Sequence, residues 1–301
     1  MATASGEARY SWSVPSGVFG SGGPLVAVGV LPHANEPLGT AFTSTLPGYR
    51  GPGRIAPIGP IDPPPYDFRV PTDPVGYARG GYLQPLAEQA EFAHCADPVT
   101  PAQYRARWLH AQLRVLRPDA FVLVHNDVGA VAPYLYANRP WPAVTRRLRE
   151  AYPDAPALGA AWTTVLDERT YAYFPPVRIG VRETSCAGRY VEHALGIPTL
   201  TVELPMFEWG ADLTRLAVAR AMGEWIARGA SHGGDTDRLV REVSTALGDR
   251  HVPMVPAPVS AEIVWTAVAG VFETLNYPGA PIDGGAGWAR STYTSSWPST
   301  A

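Results

Sequence analysis

The chain has 301 residues, 46% of them hydrophobic, and a net charge of -3, so it can bury a large core but has no positive excess that would favour nucleic acid or an anionic membrane as a partner. Its 24 positively charged residues are all arginine, which excludes a catalytic lysine Schiff base. The two cysteines, Cys95 and Cys186, are too few for a four-cysteine zinc site or a disulfide scaffold.

The amino-terminal residues MATASGEARYSWSVPSG lack the basic start and the apolar segment of a secretory signal. Nowhere does the sequence reach the roughly 18 consecutive apolar residues that a transmembrane helix needs. We therefore expect a cytoplasmic protein with neither a membrane nor a nucleic-acid partner. The sequence leaves the oligomeric state open.

Three short apolar segments predict buried strands at 24–31, 120–124 and 199–204. Segments with helical spacing lie between them, and the clearest helix begins at Thr100-Pro101, an N-cap followed by proline at the first helical position. This alternation predicts an α/β fold in which helices cover a largely buried sheet. The predicted helices lie at 37–47, from 101 to just before Pro118, near 141–151, and at 185–195, 211–228, 235–247 and 259–275.

No convincing boundary divides the chain, so we expect a single domain over 1–301 with a loop-like tail from about 277. The segment 48–85 is rich in proline and glycine and is predicted to be a long loop. Because long loops in compact domains commonly carry functional residues, this segment is expected to contribute to a site.

Polar residues with metal-binding chemistry follow or end the three predicted strands. His33 and Glu36 follow the first, His125 ends the second, and Glu203 lies near the end of the third. In open α/β sheets, ligands bind outside the carboxyl ends of the strands. Two histidines and one glutamate form a common catalytic zinc site with one position left for water, and Glu203 would then act as the base for that water.

Each of these residues also has a structural interpretation. The H-x-x-E spacing of His33 and Glu36 occurs by chance in many chains, and a glutamate at a helix start is favoured by the helix dipole. His125 alone is typical of a satisfied histidine at a strand end. Glu203 is harder to explain structurally, because a buried carboxylate without a partner is costly. The four residues taken together favour the metal site.

Three separated motifs resemble those of zinc carboxypeptidases, the carboxypeptidase A superfamily. PHANEPLGT is similar to the H-x-x-E-P-x-G segment that opens the metal site, RPDAFVLVHNDVG to the segment that delivers the second histidine, and LGIPTLTVELP to the segment that carries the catalytic glutamate. The resemblance covers roughly residues 24–210, in the family's order.

The resemblance implies a single zinc carboxypeptidase-like catalytic domain, with a mixed, mostly parallel twisted sheet flanked by helices on both faces. It also implies one zinc ion bound by His33, Glu36 and His125, with Glu203 as general base and acid. The implied activity is hydrolysis of an amide by promoted water, releasing a C-terminal amino acid from a small peptide or aminoacyl conjugate.

One feature of the family pattern is missing. Typical members carry an Asn-Arg pair between the two histidine motifs to bind the substrate's terminal carboxylate, but Asn35 is the only asparagine in that interval. The Asn138-Arg139 pair follows His125 and is out of order. An N-acyl amino acid deacylase of the succinylglutamate desuccinylase/aspartoacylase type is therefore the alternative, and a catalytically inactive binding protein on the same fold is a third.

Substrate-binding residues are predicted less sharply. Arg69 and Arg79 lie in the loop-rich segment and could bind a carboxylate, or could be solvated loop residues. The resemblance also implies a tyrosine over the substrate, for which Tyr173 is the choice, with Tyr171 and Tyr190 as alternatives.

A few further polar residues are open to more than one interpretation. Glu88, Gln89 and Glu91 could support the metal ligands or be purely structural. His94, beside a cysteine, and His110, inside a predicted helix, are expected to have packing or surface roles.

Overall fold

A computed structural model of the protein describes residues 13–33, 36–62, 89–91, 93–94, 97–127, 133–137, 139–152, 187–206 and 254–276, and every structural statement below concerns these residues. The predicted helices at 211–228 and 235–247 and the tail from about 277 lie outside them. The extent of the single domain therefore stays a prediction.

The described strands form one five-stranded sheet in the order β2-β1-β3-β5-β4. Strands β2, β1, β3 and β5 run parallel to one another, and β4 runs antiparallel to β5. This confirms the expected mixed, mostly parallel sheet. The bounds are β1 Phe19–Gly29, β2 Pro52–Ile58, β3 Ala120–Asp127, β4 Tyr134–Ala137 and β5 Thr199–Pro205.

Five described α-helices accompany the sheet: α1 Gly39–Thr43, α2 Pro101–Leu116, α3 Pro142–Ala151, α4 Ala187–Leu195 and α5 Ala257–Thr274. The predicted N-cap of α2 is confirmed as a capping box, in which the Thr100 hydroxyl accepts from Gln103 N and the Gln103 side chain accepts from Thr100 N. Of the helices in the described part of the chain, none has the length and apolarity needed to cross a membrane. The cytoplasmic compartment stays a prediction.

Each face of the sheet has its own hydrophobic core, because side chains of a strand alternate between faces. Along β3, Ala120, Val122 and Val124 pack in one core with residues of α1, α3 and α5. Phe121 and Leu123 pack in the other core with residues of α2 and α4. Helices therefore cover both faces, as expected.

Close packing of α1 against the sheet explains why its first residue, Gly39, is a glycine. A Cβ at Gly39 would lie 2.9 Å from Val30 Cγ1, closer than real Cβ atoms come, and a tight 3.1 Å from Val124 Cγ1. The helix can therefore approach the sheet only without a side chain at this position, and its close approach keeps the preceding His33–Glu36 turn near the end of β3.

Two strands contradict the sequence prediction. The predicted loop 48–85 contains β2, and β4 was not predicted at all. Both are the outermost strands of the described sheet, where proline and short length are tolerated. Pro52 and Pro57 therefore led to the prediction of a loop in place of β2, although Ile55 and Ile58 of this strand are buried.

The first helix is also shorter than predicted. Instead of 37–47, α1 spans Gly39–Thr43 and is followed by a 3-10 turn at Leu46–Gly48. Pro47 has no N–H to donate within an α-helix, so the tighter turn replaces the last predicted turn.

Candidate metal centre

A tight turn after β1 brings His33 and Glu36 together. Glu36 N donates to His33 O at 3.1 Å, and His33 Nδ1 lies 2.8 Å from Glu36 Oε1. Both side chains are buried, and Glu36 is only 1% exposed. The three-residue spacing therefore puts these two side chains on the same side of the turn.

Asn126 ties this turn to the end of β3. Its backbone N–H donates to Glu36 Oε2 at 3.1 Å, and its side-chain oxygen accepts from Leu38 N at 2.9 Å. Its side-chain amide donates to His125 O at 2.7 Å. Asn126 directly follows the predicted ligand His125, but no pattern in the sequence marks it as a site residue by itself.

His125 approaches the same carboxylate from β3. Its Nδ1 lies 3.0 Å from Glu36 Oε2, and its ring centroid is 5.2 Å from that of His33. The Glu36 carboxylate thus bridges the Nδ1 atoms of both rings. One potential ligand atom from each of His33, Glu36 and His125 lies within 4.8 Å of the others.

The donor set suits zinc. Imidazole nitrogen and carboxylate oxygen are its usual ligands, at about 2.0–2.2 Å, so that neighbouring atoms around a tetrahedral ion are roughly 3.3–3.6 Å apart. The two Nδ1–carboxylate distances of 2.8 and 3.0 Å would open by about half an ångström to admit such an ion. His33, Glu36 and His125 would hold the ion.

The buried charges of the cluster stabilise one another. Burial alone would lower the pKa of His33, but the Glu36 and Glu91 carboxylates outweigh it and raise that pKa to about 10. Burial likewise opposes ionisation of Glu36, yet the neighbouring His33 and His125 charges lower its pKa to about 2. For His125, burial is again outweighed by carboxylates, and its pKa is raised well above the usual range. Positive charge on the imidazole rings and negative charge on the carboxylates therefore stabilise each other in the buried cluster.

Glu203 lies beside this cluster on β5. It is the register partner of His125 in the parallel β3–β5 pair and of Tyr134 in the antiparallel β4–β5 pair. Register partners on adjacent strands project from the same face. Burial lowers the pKa of His125, and the charge of Glu203 adds to those of Glu91 and Glu36 in raising it. Glu203 is half-buried, so its carboxylate is not sealed in the core.

Glu91 is a member of the cluster that the sequence indicated only as one of three residues able to support the metal ligands or to be purely structural. Its Oε2 lies 3.1 Å from His33 Nε2, and its Oε1 lies 3.4 Å from His125 Nε2. No motif marks this position, because Glu91 follows the loop-rich segment and reaches the histidines only through the fold. The only signal was its place in a short run of polar residues next to that loop.

The predicted substrate-binding residues Arg69, Arg79 and Tyr173 lie outside the described residues, as does Tyr171. Tyr190, on α4, packs against imidazole rings other than those of the predicted ligands. Its ring centroid is 4.7 Å from that of His94 and 4.3 Å from that of His110.

The out-of-order Asn138-Arg139 pair has no described role at the cluster. Asn138 lies outside the described residues, and the Arg139 guanidinium is ion-paired with Glu192 of α4.

No family model matches the sequence, and no curated protein matches it. Solved structures similar to this chain include metallo-carboxypeptidases. One, from Burkholderia cenocepacia, is 12% identical, with a TM-score of 0.43 over 86% of this chain and 60% of that one. A candidate carboxypeptidase from Burkholderia mallei is 14% identical, with a TM-score of 0.46 over 86% of this chain and 59% of that one.

A succinylglutamate desuccinylase/aspartoacylase from Rhodobacter sphaeroides is 17% identical, with a TM-score of 0.33 over 78% of this chain and 58% of that one. The chain thus spans about three-fifths of the length of these three structures. At TM-scores below 0.5, such similarity assigns no activity to this chain, and function has to be inferred from the site residues.

Proposed function

We propose that the chain is a zinc-dependent hydrolase that cleaves an amide or peptide bond and releases a C-terminal amino acid from a small peptide or aminoacyl conjugate. The observation that carries this proposal is the buried cluster of His33, Glu36 and His125. Two imidazoles and one carboxylate leave a fourth zinc position for water or substrate, which is the composition of a catalytic zinc site.

The position of Glu203 supports hydrolysis over a purely structural metal site. Its register pairing with His125 puts a half-buried carboxylate next to the predicted ligands. A structural zinc site is commonly closed by a fourth protein ligand, whereas a catalytic site combines an open position with a nearby base.

Zinc bound here would lower the pKa of a coordinated water and polarise a substrate carbonyl. Glu203 would accept the proton that the water gives up and return it to the nitrogen of the leaving amine. Its partly exposed position allows that carboxylate to meet both water and substrate. The buried Glu36, held by Asn126 N and two histidines, is unsuited to this exchange.

Deacylation of N-acyl amino acids is a second candidate. It is favoured by the lack of an Asn-Arg pair between His33 and His125, since that pair would bind the terminal carboxylate of a carboxypeptidase substrate. The pairing of Arg139 with Glu192 agrees with this, because it engages the guanidinium of the out-of-order pair elsewhere.

A substrate panel with the zinc-loaded protein tests the proposal. The panel contains acylated dipeptides with a free C-terminus, the same dipeptides amidated at the C-terminus, and N-acetyl and N-succinyl amino acids, with products identified by mass spectrometry. Carboxypeptidase activity predicts release of the last residue from the free dipeptides and little from the amidated ones. Deacylase activity predicts cleavage of the N-acyl amino acids.

The Glu203→Gln variant is run beside the wild type, with Glu262→Gln, an exposed carboxylate on α5, as the matched control. Hydrolysis lost in the first variant and kept in the second supports Glu203 as the base. Hydrolysis of no panel member by zinc-loaded wild type would contradict both candidate functions.

A further inference from the structure

Glu36 and Glu91 sit on opposite edges of the same two imidazole rings. Glu36 contacts Nδ1 of His33 and His125, at 2.8 and 3.0 Å, and Glu91 contacts Nε2 of the same rings, at 3.1 and 3.4 Å. Glu91 is 8% exposed, so its carboxylate is buried together with the rings. Two carboxylates thus bracket one pair of histidines.

A single ion cannot use both edges of a ring, because the two ring nitrogens point in diverging directions. Only one of the two carboxylates can therefore share an ion with both histidines. The Nδ1 edge has the shorter contacts, and there Glu36 is fixed by a backbone hydrogen bond from Asn126 at 3.1 Å. The metal is therefore assigned to the Nδ1 edge, which leaves Glu91 facing the Nε2 edge.

Glu91 is held in place by a chain of polar contacts. The Asp62 carboxylate, shortly after β2, accepts a hydrogen bond from the backbone N–H of Ala90, next to Glu91. Asp62 is itself ion-paired with Arg105 of α2. Gln89 and Ala90 are buried. These contacts hold the turn that carries Glu91 in place, and a positioning role requires such support.

We propose that Glu91 is a positioning residue whose carboxylate, ion-paired with Nε2 of His33 and of His125, accepts from these two N–H groups when the metal is bound and thereby commits Nδ1 of both rings to the metal. This inference rests on the proposed metal site. A metal-binding histidine usually donates its second ring N–H to a carboxylate or carbonyl, which fixes tautomer and orientation and raises ligand basicity. Here the single carboxylate of Glu91 would accept from both histidine ligands.

Zinc affinity, measured by competition with a chromophoric chelator, tests the inference without any activity assay. Removing a supporting partner of this kind costs 10- to 100-fold in metal affinity. Glu91→Ala is therefore expected to bind one zinc per chain, roughly 10- to 100-fold more weakly than wild type. Glu91→Gln, nearly isosteric, should lose less, because its amide oxygen can still accept from one Nε2–H.

Cobalt substitution separates positioning from ligation. With Glu91 outside the coordination sphere, the cobalt absorption bands of Glu91→Gln keep their positions and intensity. Glu36→Gln, which removes a predicted ligand, should change the bands or abolish stoichiometric binding. Glu192→Gln, which removes a carboxylate paired with Arg139, is the matched control and should bind zinc as the wild type does.

Two results would overturn the role of Glu91 alone. Wild-type zinc affinity in both Glu91 variants would show that it supports nothing. Loss of stoichiometric binding in the folded Glu91→Gln variant, or cobalt bands altered as in Glu36→Gln, would make it a ligand. A wild-type protein that binds no zinc would instead remove the metal site, and the inference with it.

Discussion

Replacing His110 by phenylalanine should make the protein less sensitive to acid. His110 lies on α2, is 3% exposed, and its Nε2 has no hydrogen-bond partner among the residues that the structure describes. Burial lowers its pKa from 6.5 to about 3, and the charges of His94 and Arg114 act in the same direction. The folded protein thus resists protonation of His110, whereas the unfolded chain accepts the proton.

The contribution of His110 to the free energy of unfolding depends on pH, because its pKa differs between the folded and unfolded states. Because the folded pKa lies below the unfolded one, the contribution of His110 is complete above pH 6.5 and is lost as pH falls from 6.5 towards about 3. Each pH unit in that window costs about 1.4 kcal/mol per group. At pH 4.5 the loss attributable to His110 is therefore about 2–3 kcal/mol.

Urea unfolding at several pH values between 4.5 and 7.5 measures this effect. His110→Phe should match or exceed wild-type stability at pH 7.5, since a buried unpaired nitrogen is removed, and should lose less stability on acidification. Some acid sensitivity remains, because burial also lowers the pKa of His94, to about 4. The matched control is His193→Phe, at an exposed position on α4, which should keep the wild-type slope. An unchanged slope in His110→Phe would refute the reasoning.

Three further changes have defined outcomes. Glu203→Gln should keep zinc and lose 10²- to 10⁴-fold in turnover, measured by steady-state kinetics; retained turnover would mean another base. Gly270→Ala should destabilise by about 1–3 kcal/mol in thermal unfolding, because its Cβ would lie 2.5 Å from Val144 Cα across the α3–α5 contact; an unchanged Tm would contradict that packing. Thr100→Ala should cost about 1 kcal/mol of unfolding free energy through loss of the cap on Gln103 N, whereas Thr100→Ser should cost little.

The sequence predicted β3, β5 and the buried second half of β1, because these segments of the central strands are continuous apolar runs, whereas the glycine-rich and largely exposed first half of β1 was not predicted. It missed β2 and β4, which lie at the edges of the described sheet and carry proline or are only a few residues long. Apolar patterns in a sequence arise from burial, and burial constrains the residues of edge strands less than those of central strands.

The predicted ligands His33, Glu36 and His125 came together because strand ends of a parallel sheet converge at one edge, which a sequence can indicate. Asn126 was not predicted as a site residue, and for Glu91 the sequence left a supporting role and a purely structural one open. Glu91 reaches the rings from a turn whose path depends on tertiary contacts such as the Asp62–Arg105 pair. No local pattern encodes such an approach.

The metal content of the wild-type protein and of His125→Ala tests the central claim most directly. Each protein is incubated with zinc, dialysed exhaustively and measured by elemental analysis, with His193→Ala, at the exposed α4 position, as the control. One zinc per chain is expected in wild type and control, and far less in folded His125→Ala. Equal zinc in all three, or none in the wild type, would contradict a metal centre built by His33, Glu36 and His125.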